Sequence, residues 1–141
     1  MWLQREITLE PRPRGFHLVT GEVERALPEL SELDVGLCHL FIRHTSASLT
    51  LNENASPDVR RDFETWFHAA VPEDFRGWTH TLEGPDDMPA HIKTMLTATS
   101  LQIPVLKGEL ALGTWQAIYL IEHRARPHRR EIALQFMGAG A

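Results

Sequence analysis

This sequence of 141 residues has a single cysteine, no long apolar run and no excess of basic charge. Because Cys38 is the only cysteine, no intrachain disulfide can form, and the sequence is compatible with a reducing compartment. The first residues lack the apolar segment of a signal peptide, and no apolar run reaches membrane-spanning length. The net charge of −5 does not supply the basic surface that nucleic-acid binding needs. We therefore predict a cytoplasmic protein without a nucleic-acid or membrane partner.

Several motifs of common enzyme classes are also missing. The chain contains no GxGxxG, no GxxxxGK followed by Ser or Thr, no CxxC and no GxSxG. Dinucleotide-binding, P-loop, thiol-redox and nucleophile-elbow chemistry are therefore removed from first consideration. The hydrophobic fraction of 43% and the charged fraction of 23% are close to globular averages. This composition and length predict a single folded domain over residues 1–141.

Hydrophobic periodicity predicts runs of strands broken by isolated helices. Helices are expected after Thr20, after the Ser56-Pro57 cap, and from Asp86, where the inner stripe would include Met95 and Leu96. We expect a hairpin turn at Lys107-Gly108 and a second one at the Arg- and Pro-rich segment 124–130. The pattern is typical of an α+β domain. The predicted strands are 2–9, 16–19, 35–43, 48–54, 101–106, 110–124 and 130–137.

Two features of the sequence point to chemistry. The chain has eight histidines, a surplus that invites a search for metal ligands. Segment 86–93 combines two carboxylates, a helix-starting proline, His91 and Lys93. Asp86 is expected to cap the helix, which leaves His91 within two turns of the helix N-terminus. Capping alone is an equally good explanation for the acidic residues in this segment.

The residues themselves leave the kind of site open. His44 after a strand, His80 in a loop and His91 on a helix can supply three nitrogens to zinc, although none is four residues from another. Glu53 and the carboxylates of segment 86–87 can instead hold Mg²⁺ together with phosphate oxygens. Each of these side chains, taken alone, is also typical of a capping or surface position.

Further polar residues are candidates for ligand binding. A row that includes Thr45, Ser46 and Asn52 offers hydroxyl and amide groups suited to phosphate or sugar-like ligands. Lys93 can pair with an anion near the helix start, and Gln116 follows a glycine that suggests a bulge. The alternative is that these residues form the exposed face of a strand and a solvated helix surface.

Four motifs stand in order along the chain: HTSASLTLNEN at 44–54, EGPDDMPAHIK at 83–93, GTWQ at 113–116 and EHR at 122–124. These motifs resemble those of the YjbQ family, also called the secondary thiamine-phosphate synthase family. The resemblance implies a two-layer α+β fold with a mixed β-sheet and helices on one face. It also implies a homotrimer that forms through packed sheets, with a metal-binding pocket near the subunit contacts, a cytoplasmic location and weak thiamine-phosphate synthase activity.

The resemblance also assigns roles to residues. The expected reaction joins hydroxymethylpyrimidine diphosphate to thiazole phosphate and releases pyrophosphate, with a divalent metal, zinc or magnesium, as cofactor. Two alternatives remain: a non-catalytic trimeric module that binds metal or a phosphometabolite, and a metal-dependent hydrolase. The expected metal ligands are His44, His80 and His91; the expected catalytic residues are Glu53, Asp87 and His91; the expected substrate-binding residues are Thr45, Ser46, Asn52, Lys93 and Gln116.

Overall fold

The computed structural model describes residues 1–140, which form eight β-strands, three α-helices and one 3-10 helix at Pro28–Glu32. These elements confirm the α+β class. No helix in the described range has both the length and the apolar character needed to cross a membrane. The helices are α1 (Thr20–Arg25), α2 (Pro57–Ala70) and α3 (Asp87–Leu96). The strands are β1 (Trp2–Arg12), β2 (Gly15–Leu18), β3 (Val35–Ile42), β4 (Ala47–Glu53), β5 (Ser100–Leu106), β6 (Glu109–Leu110), β7 (Gln116–Glu122) and β8 (His128–Ala139).

The strands form two sheets, in the orders β1-β8-β3-β5-β6 and β2-β7-β4. Every pair of named strands within residues 1–140 is antiparallel, whereas the resemblance implied a mixed sheet. The sheets enclose one core, to which Leu40 and Leu134 contribute from the larger sheet and Leu49 and Leu120 from the smaller. Phe67 of α2 packs on the opposite face of the smaller sheet, so α2 adds a third layer beyond the two expected.

Two element boundaries follow from local chemistry. Helix α2 begins as predicted, because the Ser56 side chain accepts a hydrogen bond from the Asp58 N–H at 3.2 Å. Strand β1 continues beyond its predicted end at Leu9, with a register shift before Arg12. A proline at position 11 is tolerated because β1 is an edge strand, where one N–H can be missing from the ladder.

Helix α3 buries Asp87, Lys93 and Thr94 together with Pro89 and Ala90. It packs against β4, whose Ser48 faces away from the core between the sheets while Leu49 lies inside that core. Asp87 and Lys93 are buried, but Met95 is 74% exposed. The predicted apolar inner stripe of α3 is therefore wrong. Hydrophobic periodicity distinguishes the faces of α3, but the polar surface of β4 against which α3 packs determines which side chains are buried.

The predicted strand 110–124 is interrupted, and its two halves belong to different sheets. The Lys107-Gly108 turn forms as expected, with φ values of 50° and 83° that suit a tight hairpin. The segment after Glu122, however, connects the two sheets and is not a hairpin between paired strands. Arg130 follows it and is buried between the sheets against Glu122, with a shortest contact of 2.5 Å. This buried ion pair joins β7 and β8 although the two strands do not pair.

Candidate metal centre

Two histidines and a carboxylate converge at the start of α3. His80 comes from the irregular segment 73–85, and Asp87 and His91 lie one turn apart on α3. Asp87 Oδ2 is 2.7 Å from His80 Nε2 and 3.2 Å from His91 Nε2. The three ligand atoms all lie within 4.8 Å of one another. Ligand atoms around a tetrahedral zinc ion are roughly 3.3 Å apart, so these three atoms lie close enough together to hold a metal ion after small side-chain shifts.

Asp87 is held rigidly in this cluster. Its side chain is 1% exposed, and its second oxygen, Oδ1, accepts a hydrogen bond from Arg124 Nη1 at 2.9 Å. The same guanidinium also donates to the Glu83 carbonyl oxygen and to Asp86 Oδ2, each at 2.9 Å. Arg124 therefore fixes the direction in which Asp87 presents its free oxygen to the two histidines.

The Asp87 carboxylate is held in its ionised form. Burial raises the pKa of Asp87, but the hydrogen bond from His80 and the electrostatic effects of the neighbouring His91 ring and Arg124 guanidinium outweigh burial, so the pKa lies below its ordinary value. The pKa of Asp86 is lowered in the same way, because hydrogen bonds from Arg124 and the Ala125 N–H outweigh the effect of burial.

The orientation of His91 leaves its Nε2 facing the carboxylate. His91 Nδ1 is 2.7 Å from the Thr45 carbonyl oxygen, which can only accept, so Nδ1 carries the proton. Nε2 then points at Asp87 Oδ2. A nitrogen lone pair and an ionised carboxylate repel each other unless a cation lies between them. The cluster therefore requires either a second proton on His91 or a metal ion, and a backbone carbonyl bound to Nδ1 is typical of metal-ligating histidines.

Asp86 does not cap α3 through its side chain. It occupies the N-cap position, but no side-chain capping bond forms within the described residues. Its Oδ2 accepts instead from Arg124 Nε at 2.9 Å and from the Ala125 N–H at 2.8 Å. The capping prediction is wrong because a tertiary partner outcompetes the local one. In the sequence, Arg124 stood in a basic run and in the EHR motif, and nothing in its spacing revealed this role.

The structure does not bring His44 into the cluster. His44 Nε2 accepts a hydrogen bond from the Glu131 N–H at 2.8 Å, so that lone pair is already used. Burial lowers the pKa of His44, and the charge of Arg130 lowers it further. Within this chain, the expected set of three histidines is replaced by two histidines and Asp87.

Thr45 and Ser46 lie beside the cluster but act through structural contacts. Thr45 contributes its carbonyl oxygen to His91. Ser46 is 9% exposed, and both its carbonyl and its hydroxyl oxygen accept hydrogen bonds from Arg130 Nη2 at 3.1 Å. The Ser46 hydroxyl is therefore engaged by Arg130, and the substrate-binding roles of Thr45 and Ser46 stay predictions.

Three other predicted site residues lie at the far end of β4 and β7. Glu53 pairs with Gln116 there, and Asn52 accepts the Glu53 N–H through its own side chain at 2.8 Å. Six residues of extended strand, roughly 20 Å, separate Glu53 from Ala47 at the end nearest the cluster. Within one chain, the structure therefore divides the predicted site into two groups.

The comparisons with known proteins agree on one family. The family described as "UPF0047 protein YjbQ-like" matches residues 5–139. The UPF0047 protein YjbQ of Salmonella typhimurium is 50% identical over 138 residues, which cover 98% of this chain and 99% of that protein. The Escherichia coli O157:H7 protein of the same name is 48% identical over 138 residues, with the same coverage. The chain belongs to the YjbQ family.

Solved structures of YjbQ proteins share this fold. A YjbQ/UPF0047 family protein from Clostridium acetobutylicum is 35% identical with a TM-score of 0.82, and the match covers 94% of this chain and 99% of that one. A YbjQ-like protein of unknown function from Sulfolobus solfataricus is 25% identical with a TM-score of 0.85, and the match covers 99% of both chains. The family is thus supported by both sequence and architecture.

Lys93 of this YjbQ chain is buried rather than solvated. It is 3% exposed and forms no ion pair with any residue in the range 1–140. Burial lowers the pKa of Lys93, and the charge of Arg14 lowers it further, whereas Glu64, Glu73 and Asp86 act in the opposite direction. Lys93, which was predicted to pair with an anion, thus has no direct counter-ion among the described residues.

A buried polar relay lies between α3 and the smaller sheet. Thr97 Oγ1 donates to Ser48 Oγ at 2.5 Å, and Ser48 Oγ is 2.8 Å from His123 Nε2. Burial, together with the charges of Lys93 and Arg130, lowers the pKa of His123 to about 3. His123 is therefore neutral and able to accept from Ser48 at neutral pH.

A surface cavity of about 390 Å³ adjoins the histidine cluster and shares His80 with it. Its walls come almost entirely from segment 73–85, which sequence patterns assigned only to an irregular loop. Phe75, Arg76 and Trp78 line the cavity. None of the three lies within a motif, so no sequence pattern selected them.

Proposed function

We propose that this YjbQ protein is a metal-dependent enzyme that acts on a phosphorylated small molecule. The divalent ion would be held by His80, Asp87 and His91. The observation that carries the proposal is the convergence of both Nε2 atoms on Asp87 Oδ2 while His91 Nδ1 is turned to Thr45. Two nitrogens and one oxygen favour zinc over magnesium, because magnesium prefers oxygen ligands throughout.

The chemistry expected of these residues is electrostatic and positional. A bound ion would supply Lewis-acid stabilisation of the negative charge that develops on a phosphate or pyrophosphate leaving group. Arg124 would keep Asp87 ionised and oriented. The His80 side chain is 49% exposed and borders the cavity, so His80 would face an incoming substrate directly.

For the reaction we propose the thiamine-phosphate synthase activity implied by the resemblance, in which hydroxymethylpyrimidine diphosphate is joined to thiazole phosphate and pyrophosphate leaves. The support is the family membership together with a centre suited to charge stabilisation on a leaving pyrophosphate. The two alternatives are a metal-dependent hydrolase, favoured by a three-ligand centre that leaves a position for water, and a binding module without turnover.

Metal binding is tested first. Purified protein reconstituted with zinc and passed through a desalting column should retain one ion per chain by elemental analysis. His91→Ala should lower zinc affinity by about 10-fold or more, because it removes a ligand. His68→Ala, at an exposed position of α2, is the matched control and should leave affinity unchanged. Equal zinc affinity in the His91 and His68 variants would remove the metal assignment.

Turnover then separates the three functions. Metal-loaded protein is incubated with the two thiamine precursors, and both thiamine phosphate and pyrophosphate are quantified. A rate above that of buffer that falls in His91→Ala supports the synthase. Release of inorganic phosphate from either precursor without thiamine phosphate supports the hydrolase. Ligand binding without any product supports the module and excludes an enzyme acting on these compounds.

We also propose that the protein is a homotrimer that associates through the outer face of its larger sheet. That face carries large exposed apolar side chains, including Trp2 at 69%, Val35 at 53% and Met137 at 44% exposure. An apolar surface of this kind is typical of subunit contacts. Sedimentation equilibrium should give three times the monomer mass for the wild type and a smaller mass for Met137→Glu; a monomeric wild type would contradict the proposal.

A further inference from the structure

Two aromatic side chains line the cavity beside His80. Phe75 and Trp78 stand against each other with ring centroids 4.5 Å apart and planes inclined by 58°. Trp78 is held in place because its Nε1 donates to the Pro72 carbonyl oxygen at 3.1 Å. Both rings line the cavity, and the exposed edge of Phe75 leaves it open at the surface.

Gly77 allows this aromatic wall to form. A Cβ atom placed on Gly77 would lie 2.2 Å from Phe75 Cε1 and 2.7 Å from Phe75 Cζ. The Phe75 ring therefore lies across the space that any larger residue at position 77 would occupy. Because Phe75 is 53% exposed, its ring can be pushed into solvent without disturbing the core. The glycine thus matters for the pocket rather than for the fold.

The cavity also presents one uncompensated positive charge. Arg76 lines the cavity and forms no ion pair in the part of the chain that the structure describes. The acidic residue of the lining, Glu73, is already paired with Arg14 at 2.5 Å. A guanidinium free of partners beside an aromatic wall is suited to a phosphate or carboxylate group attached to a ring.

We propose that segment 73–85 is the substrate-recognition element of the site and binds a planar aromatic ring that carries an anionic group. The ring packs against Trp78 and Phe75, Arg76 binds the anionic group, and His80 connects this pocket to the metal cluster. This inference rests on the proposed function only in treating the cluster at His80, Asp87 and His91 as the reacting centre. Arg76, Gly77 and Trp78 determine specificity without holding the metal.

Three small probes test the two parts of the pocket separately. Phenylphosphonate carries both ring and anion, methylphosphonate carries the anion alone, and benzamide carries the ring alone. Binding is followed through the Trp78 indole N–H signal in ¹⁵N-labelled protein, assigned with Trp78→Phe. Phenylphosphonate should bind more tightly than either partial probe and shift this signal. Equal affinity for phenylphosphonate and methylphosphonate, or no shift of the Trp78 signal, would overturn the proposal.

Two variants test the residues. Arg76→Gln should weaken phenylphosphonate binding by about 10-fold, as expected for loss of a charge-assisted hydrogen bond. Gly77→Ala should weaken it by about 3-fold or more through displacement of Phe75. Thermal unfolding of both variants should match the wild type, and Phe75→Ala should reproduce the Gly77→Ala effect if that variant is less stable. Unchanged affinity in Arg76→Gln and Phe75→Ala would overturn the proposal.

Zinc titrations of the same variants distinguish this inference from the proposed function. Arg76→Gln and Gly77→Ala should keep wild-type zinc affinity, since neither residue belongs to the metal cluster. Phenylphosphonate binding that depends on Arg76 in a protein that binds no zinc would support the pocket and reject the metal centre. Zinc binding with no effect of Arg76 or Phe75 on phenylphosphonate would support the metal centre and reject the pocket.

Discussion

Replacing Asp87 by Asn changes charge with almost no change in shape at the centre of the proposed site. The wild-type carboxylate accepts from His80 through Oδ2 and from Arg124 through Oδ1, and Oδ2 also faces His91 Nε2. An amide retains one acceptor and turns an NH₂ group toward either the histidines or the guanidinium. At least one charge-assisted hydrogen bond is therefore lost and replaced by two donors that face each other.

The magnitude follows from burial and remaining contacts. Breaking a fully buried ion pair costs about 3–5 kcal/mol, and losing a hydrogen bond to a charged group costs about 1.5–3 kcal/mol. Arg124 is 16% exposed and keeps its bond to Asp86, so the lower range applies. We expect Asp87→Asn to lower the free energy of unfolding by about 2–3 kcal/mol, or roughly 6–10 °C in Tm for a chain of this length.

The pH dependence provides a second readout. Both Asp86 and Asp87 have folded-state pKa values below the ordinary 3.8, so the unfolded chain takes up these protons at higher pH than the folded one. The stability that they contribute is fully present above the unfolded pKa and is lost as pH falls through the folded values. In Asp87→Asn the fall in stability below about pH 4 should be less steep than in the wild type.

The assay is urea unfolding followed by tryptophan fluorescence at a fixed protein concentration, between pH 7 and pH 3. Asp62→Asn, an exposed position on α2, serves as the control for charge removal and should stay within about 0.5 kcal/mol of the wild type. The reasoning is refuted if Asp87→Asn is as stable as Asp62→Asn and keeps the wild-type acid dependence.

Three further predictions concern buried charges. Lys93→Met should raise the free energy of unfolding by about 1–2 kcal/mol at pH 7, because the variant no longer buries an ammonium without a direct counter-ion. Since the folded pKa of Lys93 is lowered, the stability difference between variant and wild type should shrink as pH rises toward 10.5. A variant that is less stable than the wild type at every pH would contradict this prediction. The His123 ring signals should not titrate in NMR spectra between pH 8 and pH 4, because the pKa of His123 is lowered to about 3. The stability that neutral His123 contributes should be lost as pH falls below about 6.5, where the ring of the unfolded chain takes up a proton. A titration midpoint of the His123 signals near pH 6 would contradict its burial. Arg130→Met should lower the free energy of unfolding by about 3–5 kcal/mol in urea, because it leaves the buried Glu122 carboxylate without its partner. The double variant Arg130→Met with Glu122→Leu should recover most of that loss, and additive effects of the two substitutions would show that the pair is not coupled.

The fold class was readable from the sequence because it depends on local patterns. Alternation in β4 correctly assigned Leu49 to the core and Ser48 to the opposite face, and Ser56 capped α2 as expected. The same local reasoning failed for α3. Met95 and Leu96, which were expected to face inward, are exposed, because the surface beneath the helix is polar and was assembled from distant parts of the chain.

The residue types of the candidate site were determined by the sequence, but their grouping was decided by the tertiary structure. Residue type and the family resemblance selected His80, Asp87, His91, His44 and Glu53, without showing which of the five lie together. Only the folded chain places the first three around one oxygen, turns His44 to the Glu131 N–H and puts Glu53 at the far end of β4.

The partners of these residues were beyond any local pattern. Arg124 orients Asp87 across 37 positions of sequence, and the pocket beside His80 depends on which way the Phe75 ring lies over Gly77. Contacts of this kind depend on distances between separate elements and on competition between buried partners. Periodicity and spacing indicate on which face of its own strand or helix a side chain lies. Which residues that side chain contacts is determined only by the packing of the elements against one another.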